Sequence, residues 1–269
     1  MKTFVLTMAV LALTSAAATA GPLQPGQFAG SAKAGVDLSV SGDVHGGATA
    51  PVASLRALNP NLPAVGAELR IQARTFDDIY GEAATYGLEG AYGLSGNREV
   101  FAAINRVTAD QGSTQVGTAF VPALSASLPV QGRFGDYKAT TFEAGLRQFF
   151  YPEATIKPFI AGRIGVARVD EIRASFTVPV PTGVGAEPND IVLSNVAFYD
   201  DSTSFTVGGD IGADYDVSDR FSIRAEIGLR YQGKLDGNDS AIGPLGLARI
   251  NDDGARWSAP ITISGRVAF

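Results

Sequence analysis

Apolar and polar residues alternate along most of this chain with a period of two, the spacing of a strand whose two faces meet different surroundings. In residues 65–75, Val65, Ala67, Leu69, Ile71 and Ala73 alternate with Gly66, Glu68, Arg70, Gln72 and Arg74. In 220–232, Phe221, Ile223, Ala225, Ile227, Leu229 and Tyr231 alternate with Ser222, Arg224, Glu226, Gly228 and Arg230. The pattern recurs in 84–94, 139–150, 156–169, 204–216 and 255–269. It is least clean in 98–108, where Val100, Ala102 and Ile104 compete with Phe101 and Ala103. The chain is therefore expected to be all-β, with eight strands.

The connections are of two kinds. Residues 95–97, 152–155 and 217–219 are tight turns, whereas 109–138, 170–203 and 233–254 are long, rich in turn formers and read as irregular. The link 76–83 is intermediate. Short and long connections alternate strictly, so the long ones share one end of an up-and-down meander. Residues 21–64 are rich in Pro, Gly and Ala, with a brief alternation at Ala34, Val36, Leu38 and Val40. They read as a mobile N-terminal arm. The alternatives are an extra hairpin, which would raise the count to ten strands, and a segment tucked inside a barrel.

Residues 1–20, MKTFVLTMAVLALTSAAATA, have the charge, short apolar stretch and small terminal residues of a secretory signal peptide cleaved after Ala20. No cysteine is present, which excludes disulfides and thiolate metal sites. The formal net charge of -6 becomes -7 once Lys2 is removed, so no nucleic-acid partner is expected. The mature chain also lacks an apolar run long enough for a transmembrane helix.

Alternation alone does not say which face meets water. A soluble lipocalin-like barrel would turn its apolar face inward, and an outer-membrane barrel would turn it outward. Several features favour the second. Tyr92, Phe149, Phe150, Tyr151, Tyr215, Phe221 and Phe269 gather at the tight-turn end. Phe76, Tyr80, Phe205, Tyr231 and Trp257 gather at the other, giving the two aromatic belts of a bilayer-spanning barrel. The segments also exceed the roughly 9–11 residues that a tilted span requires. An arginine facing lipid at the midplane costs about 2–4 kcal/mol, so the charged face must point inward.

With these features and its terminal ITISGRVAF, the chain resembles the small outer-membrane β-barrel proteins of Gram-negative bacteria, which have eight to ten strands. The resemblance implies an up-and-down antiparallel transmembrane β-barrel over 65–269, located in the cell outer membrane. It also implies an assembly signal at Phe269, Val267, Ile263 and Ile261, read by the barrel assembly machinery; Gly265 departs from that pattern. Outer-membrane lipid and lipopolysaccharide would surround it.

The inward face is expected to hold Glu68, Glu89, Glu143, Asp210, Asp214 and Glu226 against Arg70, Arg74, Arg147, Arg163, Arg224, Arg230 and Arg266. Opposite charges in nearly equal number in a narrow space should pair. The interior of an eight-stranded barrel is just wide enough for side chains to fill, so a plugged lumen is favoured over a polar pore. The only histidine, His45, lies in the arm and reads as an exposed loop residue. No nucleophile elbow, metal motif or phosphate loop is present, so neither catalysis, cofactor nor metal is expected. Acidic clusters at 76–78, 199–201, 235–240 and 250–254 suggest an acidic rim at the long-loop end, where divalent cations would bridge weakly to lipopolysaccharide phosphates. The expected role is a non-enzymatic envelope scaffold presenting these loops. The alternative is a narrow, porin-like pore or transporter for small solutes or hydrophobic molecules.

Overall fold

The computed structural model describes residues 22–269; the expected signal peptide lies outside them. Eight strands close into an antiparallel up-and-down barrel. They are β1 (Phe28–Ser41), β2 (Glu82–Ser95), β3 (Arg98–Ala109), β4 (Tyr137–Phe149), β5 (Ile156–Val169), β6 (Ser202–Asp216), β7 (Phe221–Gln232) and β8 (Arg256–Ala268). Each pairs with its neighbours in sequence, and β1 closes the sheet on β8 through a register from Ala29↔Ala268 to Leu38↔Ala259. Closure leaves no unpaired edge in the barrel, the condition for a sheet to span hydrocarbon.

Seven of these strands coincide with the alternating segments, but the first does not. The segment read as an arm supplies β1, and 65–75 is not a barrel strand. The brief alternation at Val36 and Leu38 is β1's outer face, while the inner face carries Lys33 and Asp37 among small residues. One of these is indispensable: a Cβ on Gly35 would fall on the Ile261 carbonyl oxygen across the β1–β8 seam. Ala67–Ile71 is a genuine strand, yet its apolar residues Ala67 and Leu69 pack into a protein core rather than lipid. At five residues it is also too short to cross a bilayer.

The long connections are not irregular either. They build a second layer, a six-stranded antiparallel sheet beyond the long-loop end. In spatial order its strands are 191–199, 172–178, 126–134, 112–121, 67–71 and 48–52. Its core includes Leu69, Val116, Val130, Phe134, Ile172 and Phe198, and the last long connection lays Leu235, Ile242, Leu247 and Ile250 against it. Residues 76–80 form one helical turn with a capping box. Thr75 Oγ1 accepts from the Asp78 N–H at 3.1 Å, and Asp78 Oδ2 accepts from the Thr75 N–H at 3.0 Å.

Candidate functional site

Alternate residues of the eight strands point inward and make the barrel interior a closed ion-pair network. Arg147 of β4 sits at its centre with a side chain 0% exposed. Its Nη2 donates to both Glu89 carboxylate oxygens, at 2.9 and 3.1 Å, and its Nη1 to Glu99 Oε2 at 3.4 Å. The guanidinium lies 4.5 Å from the Phe101 ring centre and 5.0 Å from that of Phe159, which hold it on both sides by cation–π attraction. Arg224 grips Asp214 with two bonds, at 2.6 and 2.8 Å, and reaches Glu89 at 2.9 Å. Such forked pairing is the strong form of an arginine–carboxylate contact.

Arg163 of β5 bonds Asp210, and reaches Glu226 at 3.2 Å and Glu143 at 3.3 Å. Arg230 pairs with Asp210 at 2.5 Å and Glu143 at 3.5 Å. Arg266 joins Glu99 and Asp214, and Lys33 approaches Glu226 at 3.7 Å. The network is charge-balanced. Lys33, Arg147, Arg163, Arg224, Arg230 and Arg266 face Glu89, Glu99, Glu143, Asp210, Asp214 and Glu226, six cations to six carboxylates.

Both mouths are closed by other means. At the tight-turn end, residues 22–27 fold across the opening. Leu23 is fully buried against Phe101, Phe149 and Phe159, and its N–H donates to Glu99 Oε1 at 2.9 Å. At the other end, Arg256 pairs with Asp37 at 2.6 Å beneath the rings of Tyr137 and Phe76. Between them is a void of about 50 Å³ lined by polar residues, room for a few waters at most.

The expected lumen residues divide accordingly. Glu89, Glu143, Arg147, Arg163, Asp210, Asp214, Arg224, Glu226, Arg230 and Arg266 meet inside the barrel. Glu68, Arg70 and Arg74 do not: they belong to the second layer, where Glu68 and Arg70 form an exposed pair at 2.5 Å. Lys33, Asp37 and Arg256 escaped the sequence reading, the first two because β1 was taken as an arm. Glu99 escaped because Phe101 blurs its strand. Phe101 faces inward beneath Arg147 and Arg163, which leaves Val100, Ala102 and Ile104 for the outer face.

Outside, the pattern inverts. Ile164 is 65% exposed and Leu146 and Ile211 are each 61% exposed, while the arginines inside are buried. Apolar outside and charged inside is the reverse of a water-soluble barrel and the arrangement of a transmembrane one. No helix among the described residues is long and apolar enough to cross a membrane. Ile261, Ile263 and Val267 lie on the outer face of β8, and Phe269 exchanges backbone hydrogen bonds with Phe28 at 2.9 and 3.1 Å. Phe205, Tyr231 and Trp257 form one aromatic cluster at the long-loop rim. Phe76 and Tyr80 leave that belt for the second layer, and Phe149 turns inward.

His45 is not an exposed loop residue. It is 1% exposed, stacked on Phe134 with ring centres 5.9 Å apart and edge-on to Phe198. Its Nδ1 lies 3.0 Å from the Gly46 carbonyl oxygen, and burial holds its pKa below the usual imidazole range. Burial likewise raises the Tyr80 and Tyr199 hydroxyls, which donate to the Gly135 and Val44 carbonyl oxygens. The acidic clusters tie loops together: Asp200 accepts from Asn238, and Asp201 from the Glu171 N–H. Among the described residues no three His, Asp or Glu side chains gather where they could hold a metal ion.

No protein-family model and no curated protein matches the chain. Among solved structures it is similar to Neisserial surface protein A, with a TM-score of 0.41 and 15% identity over 90% of this chain and 97% of that one. It is similar also to the attachment invasion locus protein of Yersinia pestis, at 0.37 and 12% over 90% and 99%. A third is outer membrane protein OprG of Pseudomonas aeruginosa, at 0.36 and 13% over 90% and 96%. The barrel assignment rests on the strand pairing itself rather than on these likenesses.

Proposed function

We propose that this protein is a non-enzymatic scaffold of the outer membrane, a plugged eight-stranded barrel that carries an ordered, acid-rimmed sheet layer on the cell surface. The tight turns face the periplasm. The observation that supports this reading most directly is the balanced charge network. It crosses the lumen from β2 and β3 to β7 and β8, with Leu23 packed below it and the Arg256–Asp37 pair above. The one histidine argues against hydrolytic chemistry, since its Nδ1 bonds a backbone carbonyl rather than an orienting carboxylate. Lipid would cover the barrel wall, lipopolysaccharide the rim beneath the second layer, and the barrel assembly machinery would act during insertion.

Planar-bilayer recording of the purified protein tests this reading against a narrow pore. A silent bilayer in the presence of correctly folded protein, confirmed by heat-dependent gel migration, is the expected result. Reproducible unitary conductance steps would overturn the plugged scaffold.

A further inference from the structure

The outward wall of the barrel changes chemistry in one step near the long-loop rim of β3, β4 and β5. Strand register sets Leu88, Ile104, Phe142, Val166 and Phe205 side by side across β2 to β6, all of them apolar and exposed. Two residues nearer the loops, about 7 Å along the strands, the aligned row is Tyr86, Arg106, Thr140, Arg168 and Thr203. Adjacent strands lie about 4.8 Å apart, so the two arginines stand about 10 Å from one another with Thr140 between them. Lys138 follows at the next outward position of β4. On β5 the outward residues from Ile156 to Val166 are uncharged, which matches the roughly 9–11 residues of a tilted span. Arg168 therefore stands at the edge of the hydrocarbon, where a lipid carries its headgroup.

Pairing leaves this face positive. Arg106 Nη2 donates to Asp170 Oδ2 at 2.6 Å and its Nη1 to Thr140 Oγ1 at 2.8 Å, which holds the guanidinium in place. Lys138 pairs with Asp136 at 2.8 Å, and the neighbouring Arg173 with Glu171 at 2.6 Å. Arg168 is exposed, and among the described residues its side chain has no hydrogen-bond, ion-pair or ring partner. Arg106, Lys138 and Arg168 thus outnumber Asp136 and Asp170, in a protein whose formal net charge is -6. Elsewhere at this rim the outward strand residues include Phe205, Tyr231 and Trp257 on β6 to β8, Leu38 and Val40 on β1, and the acid Glu82 on β2. The excess positive charge lies on one side of the barrel.

We propose that Arg168 and Arg106, with the Thr140 hydroxyl between them, bind a phosphate of a phosphorylated outer-leaflet glycolipid, lipid A by chemical class, whose acyl chains lie along Ile104, Phe142, Ile164 and Val166. A guanidinium offers five N–H donors in a fork that matches phosphate oxygens. Arg106 spends two groups of donors on Asp170 and Thr140 and keeps its Nε–H, and the Thr140 hydroxyl, accepting from Arg106, has its own proton to donate. The apolar row beneath favours a lipid over a soluble anion, since only acyl chains gain by covering it. The proposal rests on the reading that this rim meets the outer leaflet, and it stands whether or not the lumen conducts.

The full protein, folded in a zwitterionic detergent, would be mixed with graded amounts of bisphosphorylated lipid A in the presence of EDTA, and bound lipid counted by native mass spectrometry. The expected result is saturable binding of one lipid A, about tenfold weaker in Arg168→Gln, the size of one charge-assisted contact. Arg168→Gln removes no contact within the protein and keeps the fold, as the heat-dependent gel shift would confirm. Lys234→Gln, which neutralises an exposed cation beyond β7, should leave the affinity unchanged. Lipid A stripped of its phosphates should bind at least about tenfold more weakly. Equal affinity in wild type and Arg168→Gln, an equal loss in Lys234→Gln, or undiminished binding of the stripped lipid would each overturn the proposal. So would displacement by millimolar inorganic phosphate, or binding that appears only when magnesium is added. A folded barrel that binds no lipid A would overturn the site and leave the assignment of the barrel standing.

Discussion

Replacing Arg147 by leucine removes one positive charge from a buried network of six cations and six carboxylates and leaves the network with one net negative charge. Breaking a buried ion pair by deleting one partner costs about 3–5 kcal/mol. Loss of the cation held between Phe101 and Phe159 adds about 2 kcal/mol where the site is desolvated. Two effects work the other way. Glu89 retains Arg224 at 2.9 Å, Glu99 retains Arg266, and Glu226 retains Arg163 at 3.2 Å, so none is orphaned outright. Leucine also restores apolar contact with the two rings. The net expectation is a loss near the low end, about 3 kcal/mol. Urea unfolding of the protein in lipid vesicles would measure it, followed by the fluorescence of Trp257, the single tryptophan, at the bilayer rim. Charge balance makes a sharper demand. Adding Glu99→Gln to Arg147→Leu should recover at least about 1 kcal/mol of the loss, a non-additivity expected of groups sharing one network. A single variant within about 1 kcal/mol of wild type, or a strictly additive double variant, would refute the view that balanced charge holds the interior together.

Three further outcomes follow from the same geometry. His45 is buried with its pKa depressed, and the charged groups around it are Arg74, Asp43 and Asp78. The unfolded chain therefore takes up a proton first as pH falls below the ordinary imidazole value of about 6.5, and stability present above that value is lost until the folded pKa is passed. Hydrogen-exchange protection factors in the second layer, corrected for the intrinsic pH dependence of exchange, should fall between pH 7 and pH 5 through this group, and His45→Phe should remove that component; an identical profile in the variant would count against it. Gly35→Val should block closure of the β1–β8 seam, seen as loss of the heat-dependent gel shift, because its side chain would collide with the Ile261 carbonyl. Leu23→Ala should lower stability by about 2 kcal/mol, the low end for a buried leucine since the terminal segment can readjust, and should expose residues 22–27 to protease; unchanged protection would show that this segment does not seal the mouth.

Period-two alternation was enough to identify the transmembrane strands from β2 to β8, because each has lipid on one side and charge on the other. The arginines of the inner face decided which side was which, since hydrocarbon excludes them. Alternation could not separate lipid from a protein core as the destination of an apolar face. Ala67 and Leu69 therefore looked like a wall of the barrel and proved to be part of the second layer. The converse error hid β1, whose inner face is largely small residues and whose outer face has Gly30, Ala32 and Ala34 in mid-strand, so that it reads as low-complexity coil. The second layer was partly legible: Ile172, Ala174, Phe176 and Val178 alternate, but bulges at Gln115/Gly117 and in 191–199 break the period in two of its other strands.

Local pattern thus determined seven of the eight membrane-crossing strands and the polarity of their faces, properties that neighbouring residues carry along a single strand; the eighth, β1, was replaced in the reading by residues 65–75. Which carboxylate meets which arginine, the balance of six against six and the burial of His45 depend on contacts between residues as far apart as 99 and 266 or 45 and 198. Only closure of the barrel and stacking of its long connections bring such pairs together, because these contacts are set by strand register across the whole sheet and by packing between layers.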